Sequence, residues 1–212
     1  SIKPFFDSFV KEIIVIPNII SIQKTTEETK RAKQDDSSYI IVSVGRFSEE
    51  KRMVDCVLAA KKLTECGYHS FRWYMLGDGP EKERVNNEII SDGLQNVVFC
   101  LGNNSNPYTY MENADLIVHP SYVESQGMTV LEAMSLRKLV VAVGSNGIME
   151  YAVDHHNSLV AEKNLDSLVE KIEEAFNLNE DDRISMRDAA ERTTSKYSSN
   201  AIMKQIERDL FR

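Results

Sequence analysis

The stretch YIIVSVG, residues 39–45, is nearly all apolar, ends in glycine and runs straight into charged residues. A strand with one solvated face would alternate apolar and polar side chains. This one does not, which suits a strand buried on both faces of a parallel sheet. The signature recurs in FRWYMLG (71–77), NVVFCLG (96–102), DLIVHPS (115–121), KLVVAVG (138–144) and the shorter NSLVA (157–161). A helical pattern runs from Glu50 to about Glu65, another from Glu81 to about Ser91, and helical patterns follow the later strands. Strand, helix, strand at this spacing calls for right-handed crossovers. The expected fold is α/β: a single-domain, doubly wound, Rossmann-like parallel sheet with a helical carboxyl-terminal extension.

Outward from this core, everything from Leu165 reads as helical, and its last piece, NAIMKQIERDLFR (200–212), is amphipathic. Toward the amino terminus, QKTTEETKRAKQDDSS (23–38) is polar throughout and reads as a linker, preceded by a short β-rich run, EIIVIPN (12–18), stopped by Pro17 and Asn18. The expected divisions are 1–38 as a connection with a first strand, 39–195 as the sheet domain and 196–212 as a terminal helix.

Composition excludes several classes of function. The chain has 212 residues, 42% hydrophobic and 27% charged, ordinary for a globular protein. No apolar run reaches the length of a membrane span, and SIKPFFDSFVKEII lacks the pattern of a signal peptide. Cys56, Cys66 and Cys100 form no CxxC pair and no metal-ligand spacing, so they read as reduced thiols of a cytoplasmic protein. A net charge of −8 argues against nucleic acid as a partner. An anionic ligand would need local basic residues and backbone N–H groups. The adjacent His155 and His156 read as surface residues, and Trp73 as core.

In open parallel sheets, ligands bind beyond the carboxyl ends of the strands. Gly45, Arg46, Lys51 and Arg52 follow the first strand of the domain, GDGP the second, GNNSN the third, HPSYVESQG the fourth and SNG the fifth. Glycine, small polar and charged residues therefore gather on one rim. Arg46 and Lys51 suit a phosphate, as a planar fork and a point charge; equally, both could pair with the neighbouring Glu49 and Glu50. Gln126, Gly127 and Met128 open a helix whose free N–H groups and dipole favour an anion. Glu124 before this helix and Glu132 in its second turn could accept hydrogen bonds from sugar hydroxyls. Dipole compensation and an ordinary polar helix position explain the two glutamates as well. His119, at a strand end beside Pro120, lies where it could approach the same ligand.

The ordered motifs VGRFSEEKR, LGDGPEKERV, VVFCLG, ADLIVHPSYVESQGMTVLEAM and VVAVGSNGIMEY resemble the carboxyl-terminal half of GT-B glycosyltransferases, in particular the large retaining group called family 4. The resemblance covers about residues 12–161. It implies a metal-independent hexosyltransferase half that holds a nucleotide-diphosphate sugar, with a UDP-sugar as donor and no cofactor. Arg46, Lys51 and Glu124 would carry the chemistry. The donor would be bound by Gly45, Gly102, Asn103, Ser125, Gln126, Gly127, Met128 and Glu132, with Glu124 on the sugar, Glu132 on the ribose and Gly102–Asn103 near the base. It implies as partner an amino-terminal acceptor domain that this chain lacks, cytoplasmic location at or near the inner face of a membrane, peripheral association of the full enzyme, and polysaccharide or glycolipid assembly as setting. The fragment alone is then expected to be inactive. Departures are Arg52 after Lys51 and Arg137 after LEAM, both where the family has glycine, Leu139 in place of proline, and Asn146-Gly147-Ile148-Met149-Glu150 for Gly-Gly-x-Pro-Glu. Arg137 is thus expected in a left-handed conformation. These departures keep open a non-catalytic or degenerate nucleotide-sugar module, with a GT-B-shaped epimerase ranked lower.

Overall fold

The computed structural model describes residues 16–20 and 38–210. Six strands form one sheet: β1 (Tyr39–Val44), β2 (Phe71–Leu76), β3 (Val98–Gly102), β4 (Leu116–His119), β5 (Leu139–Val143) and β6 (Leu159–Ala161). Every neighbouring pair is parallel, and the spatial order is β3-β2-β1-β4-β5-β6. This is the doubly wound Rossmann-like order, in which the winding reverses between β1 and β4. The helices are α1 (Met53–Glu65), α2 (Lys82–Ser91), α3 (Tyr108–Asn113), α4 (Met128–Ser135), α5 (Leu165–Asn177), α6 (Glu180–Thr194) and α7 (Ser199–Leu210).

The unbroken apolar strands are explained by a core on each side. Successive β1 residues point to opposite faces: Ile41 joins Leu63, Val85 and Ile172 from α1, α2 and α5, while Ile40 and Val42 join Met111, Leu131 and Met134 from α3 and α4. Trp73 is fully buried, as expected of a core residue. Its indole Nε1 donates to Ser43 Oγ at 3.0 Å, and that hydroxyl donates to the Val118 carbonyl at 2.7 Å. One polar chain thus ties β2 to β1 and β1 to β4 inside an otherwise apolar layer.

Several expected boundaries move. The helix expected from Glu50 to Glu65 is broken: Glu49–Lys51 form a single 3-10 turn, Arg52 sits at φ 54°, and α1 starts at Met53. The β4 strand ends at His119, because Pro120 has no N–H to continue a ladder. Among the described residues no helix separates β5 from β6; residues 145–151 make turns, closed by bonds from the Ile148 and Met149 amides to the Ser145 carbonyl. Residues 16–18 of the β-rich run belong to no strand, and residues 12–15 and the linker segment 23–37 lie outside the described residues. The extension from Leu165 is helical, as expected.

Candidate functional site

The loops after β1 and β4 diverge at the winding reversal, and the residues expected at one rim lie there. The β1 loop rests on backbone. A Cβ on Gly77 would come within 1.9 Å of the Gly45 carbonyl oxygen, and one on Gly79 within 2.3 Å of that of Phe47. The Phe47 amide donates to the Asp78 carbonyl, and the Glu81 amide donates back to Phe47. GDGP is therefore a shelf whose two glycines, Gly77 and Gly79, leave room for the Gly45–Phe47 backbone to lie against it. The β4 loop is fastened to the same place, since the Tyr122 amide and the Ser121 hydroxyl both donate to the Glu50 carbonyl.

This fastening brings Lys51 and Glu124 together across the cleft. Lys51 Nζ donates to Glu124 Oε1 at 2.6 Å, and His119 Nε2 meets the same oxygen at 2.7 Å. Lys51 thus pairs with the distant glutamate, while Glu50 takes the Ser48 hydroxyl. Burial pushes the Glu124 carboxyl upward, but hydrogen bonds and charge from His119 and then Lys51 outweigh it, holding the group down at about 2. At neutral pH it is a carboxylate, almost enclosed and doubly partnered.

Next to it begins α4. Gly127, its N-cap, has φ 68° and ψ 55° and offers no side-chain cap; the Val130 and Leu131 amides turn back to its carbonyl, which leaves the amides of Met128 and Thr129 at the open helix start. Glycine suits this position: the positive φ strains any side chain, and a Cβ on Gly127 would meet Ile148 Cγ1 and the Tyr151 hydroxyl at 2.9 Å, so that those side chains would have to shift. The Tyr151 hydroxyl donates to the Gly127 carbonyl at 3.1 Å. The β5 loop fits as closely from below, where a Cβ on Gly147 would stand 2.3 Å from the Ser125 carbonyl oxygen. Lys51, His119, Glu124, Ser125, Gln126, Gly127, Met128 and Gly45 all line this cleft.

A second concavity shares Val44 and Gly45 with the first and extends toward β3, lined by Arg46, Asp78, Asn103 and Pro107. Arg46 is exposed; its carbonyl accepts from the Ser48 amide, and among the described residues no side-chain hydrogen bond or ion pair engages its guanidinium. Gly102 ends β3 at φ 71°, its carbonyl taken by the Gly77 amide. Glu132 lines neither cleft. Its Oε1 accepts from the Tyr108 hydroxyl at 3.0 Å, and burial raises its carboxyl despite that bond. The Tyr108 hydroxyl is itself pushed up to about 12, by burial first and by Glu132 second.

Of the expected site residues, the structure thus assembles Lys51, Glu124 and the 125–128 segment in one cleft, sets Arg46 and Asn103 in the adjoining one, and places Glu132 one turn further along α4, bonded to Tyr108. The Gln126 side chain, for which the sequence named no partner, accepts from the Asn18 amide at 2.8 Å, and both residues line the cleft. Tyr108 was not legible, since a tyrosine after Asn-Pro carries no signal of a carboxylate 24 residues on. Among the described residues, no group of three or more His, Cys, Asp or Glu could hold a metal ion, and no helix is long and apolar enough to cross a membrane.

Comparison with known proteins places this geometry. The family model described as glycosyl transferases group 1 matches residues 24–193. An uncharacterized glycosyltransferase of Methanocaldococcus jannaschii is 31% identical over 158 residues, covering 73% of this chain and 43% of that protein. The poly(ribitol-phosphate) alpha-N-acetylglucosaminyltransferase of Staphylococcus aureus is 24% identical over 92% of this chain and 39% of its own length. In fold, the chain matches S. aureus TarM, crystallised as a variant with UDP, alpha-GlcNAc-glycerol and Fondaparinux, with a TM-score of 0.81 at 22% identity over 97% of this chain and 41% of that one. It also matches Anabaena HepE in complex with UDP and glucose, with a TM-score of 0.78 at 21% identity over 89% and 53%. The chain spans only 39–43% of the length of the two curated relatives named.

Proposed function

Since this chain belongs to the glycosyl transferases group 1 family, we propose that it is the donor-binding half of a retaining glycosyltransferase that moves a sugar from a nucleotide-diphosphate sugar to a saccharide or lipid-linked acceptor. The observation that carries the reading is the convergence of Lys51, Glu124 and the uncapped start of α4 in one cleft at the winding reversal. UDP is the nucleotide we infer, because TarM and HepE are both described with it.

In this reading the diphosphate lies between Lys51, Arg46 and the first amides of α4, whose charge and dipole take up the leaving group's negative charge. Glu124, ionised at neutral pH, accepts a hydrogen bond from the donor sugar. Glu132 accepts from the ribose diol, and the base lies toward Gly102 and Asn103. The bond from the anomeric carbon to the phosphate oxygen breaks, and an acceptor hydroxyl forms the new bond on the same face. The hydroxyl's proton passes to the departing phosphate oxygen. Lys51 and Arg46 stabilise that oxygen as its charge grows. An acceptor-binding domain of the same enzyme, facing this rim, would supply the hydroxyl; membrane association would belong to the full enzyme and its acceptor.

Calorimetric titration of the chain with UDP-, GDP- and ADP-glucose tests the reading. It predicts saturable binding of UDP-glucose and no sugar transfer without the acceptor half. Binding of none of the three would contradict it.

A further inference from the structure

We propose that His119 is a positioning residue that frees Lys51 for the diphosphate by holding Glu124 in place alone once the donor arrives. The proposal rests on the donor-site reading above and adds to it a residue and a role.

Both side chains meet the same oxygen, Glu124 Oε1, but they reach it from different places. His119 ends β4 and lies only five residues before Glu124, so its bond closes the 119–124 loop on itself. Lys51 comes across the cleft from the β1 loop, and its side chain is 27% exposed against 6% for His119. An entering diphosphate therefore finds one fixed partner of Glu124 and one that can turn.

The physical difficulty is what remains behind. Glu124 has 8% of its side chain exposed, and a carboxylate so enclosed cannot give up its only partner without a large penalty. With His119 present, Lys51 can turn its charge toward phosphate while Glu124 keeps a short bond and its position. Without that bond, Glu124 retains Lys51, and the phosphate must compete for it. The same arrangement leaves Glu124 Oε2 for a ligand hydroxyl in either state.

Two substitutions separate this role from packing. In His119→Gln the side-chain amide falls near the Nε2 position and keeps a donor for Glu124; in His119→Asn it falls near Nδ1 and does not. UDP titration of the chain is expected to show affinity about tenfold weaker in His119→Asn and within about threefold of wild type in His119→Gln. In a Glu124→Gln background, where no carboxylate competes for Lys51, His119→Asn is expected to change UDP affinity less than about threefold. Equal affinities in the Asn and Gln variants, or an equal loss with and without Glu124, would overturn the proposal while leaving the donor site standing. Failure of the wild-type chain to bind UDP, GDP or ADP would remove the donor reading itself, and this role with it.

Discussion

Gly77 lies directly beneath Gly45: a Cβ at Gly77 would be 1.9 Å from the Gly45 carbonyl oxygen, and its φ of 137° is one that other residues rarely adopt. The shelf under the β1 loop therefore has no room for a side chain at position 77. Gly77→Ala is expected to destabilise the chain by more than about 2 kcal/mol, strain and clash together, and to weaken nucleotide binding by displacing Gly45–Arg46. Gly93→Ala serves as the control. Gly93 also has positive φ, 68°, but open space around its Cβ position, so only about 1 kcal/mol is expected. Urea unfolding of both variants measures the difference.

Arg52 and Arg137 occupy left-handed conformations, at φ 54° and 56°, yet replacing each by glycine should have opposite effects. Arg52 forks onto both oxygens of Asp55, which is 1% exposed, with bonds of 3.0 and 2.8 Å. Arg52→Gly relieves strain but strips a buried carboxylate, so a net loss of about 1 kcal/mol is expected. Arg137 pairs with Asp188 and Glu191 on the surface of α6. Surface pairs contribute about 0–1 kcal/mol, comparable to the strain relieved, so Arg137→Gly is expected to be neutral or slightly stabilising. Thermal midpoints of the two variants decide it.

The two glutamates should respond oppositely to acid. Glu124 is held at about 2, below its unfolded value, so its contribution is full above pH 4.5 and is lost as pH falls toward 2. Glu124→Gln should therefore destabilise at pH 7 and lose its disadvantage in strong acid. Glu132 is raised by burial, so its ionisation opposes folding at neutral pH, and this cost fades as pH falls through its folded value toward 4.5. Glu132→Gln should raise the melting temperature at pH 7 and weaken UDP binding. Melting curves at pH 7, 5 and 3 report the signs.

Ser43→Ala removes the acceptor of Trp73 Nε1 and the donor to Val118. A buried indole N–H without a partner should cost about 1–3 kcal/mol. Near-wild-type stability in urea would show that the polar chain across the winding reversal contributes little.

All six strands were legible because a sheet buried on both faces writes itself as continuous Val- and Ile-rich runs. The cleft was legible in part for a related reason: strand ends are marked by Gly45, Gly77 and Gly102, and the loops that follow must lie on one rim. What escaped depended on contacts far apart in the chain or on unusual backbone. An arginine at φ 54° gives no turn signal, so the break at Arg52 read as continuous helix. Tyr108 and Glu132, or Asn18 and Gln126, meet only once the chain has folded. The segment 145–151 holds apolar residues at helical spacing but serves as a tight support, with Gly147 pressed against Ser125.

The central claim is that the diphosphate sits between Lys51 and the start of α4. A crystal structure of the chain soaked with UDP measures this directly. The account predicts phosphate oxygens within hydrogen-bond reach of Lys51 Nζ and of the first-turn amides that follow Gly127, with the ribose against Glu132. UDP bound away from this cleft, or within it with Lys51 still turned wholly to Glu124 and no phosphate at the helix start, would contradict the account.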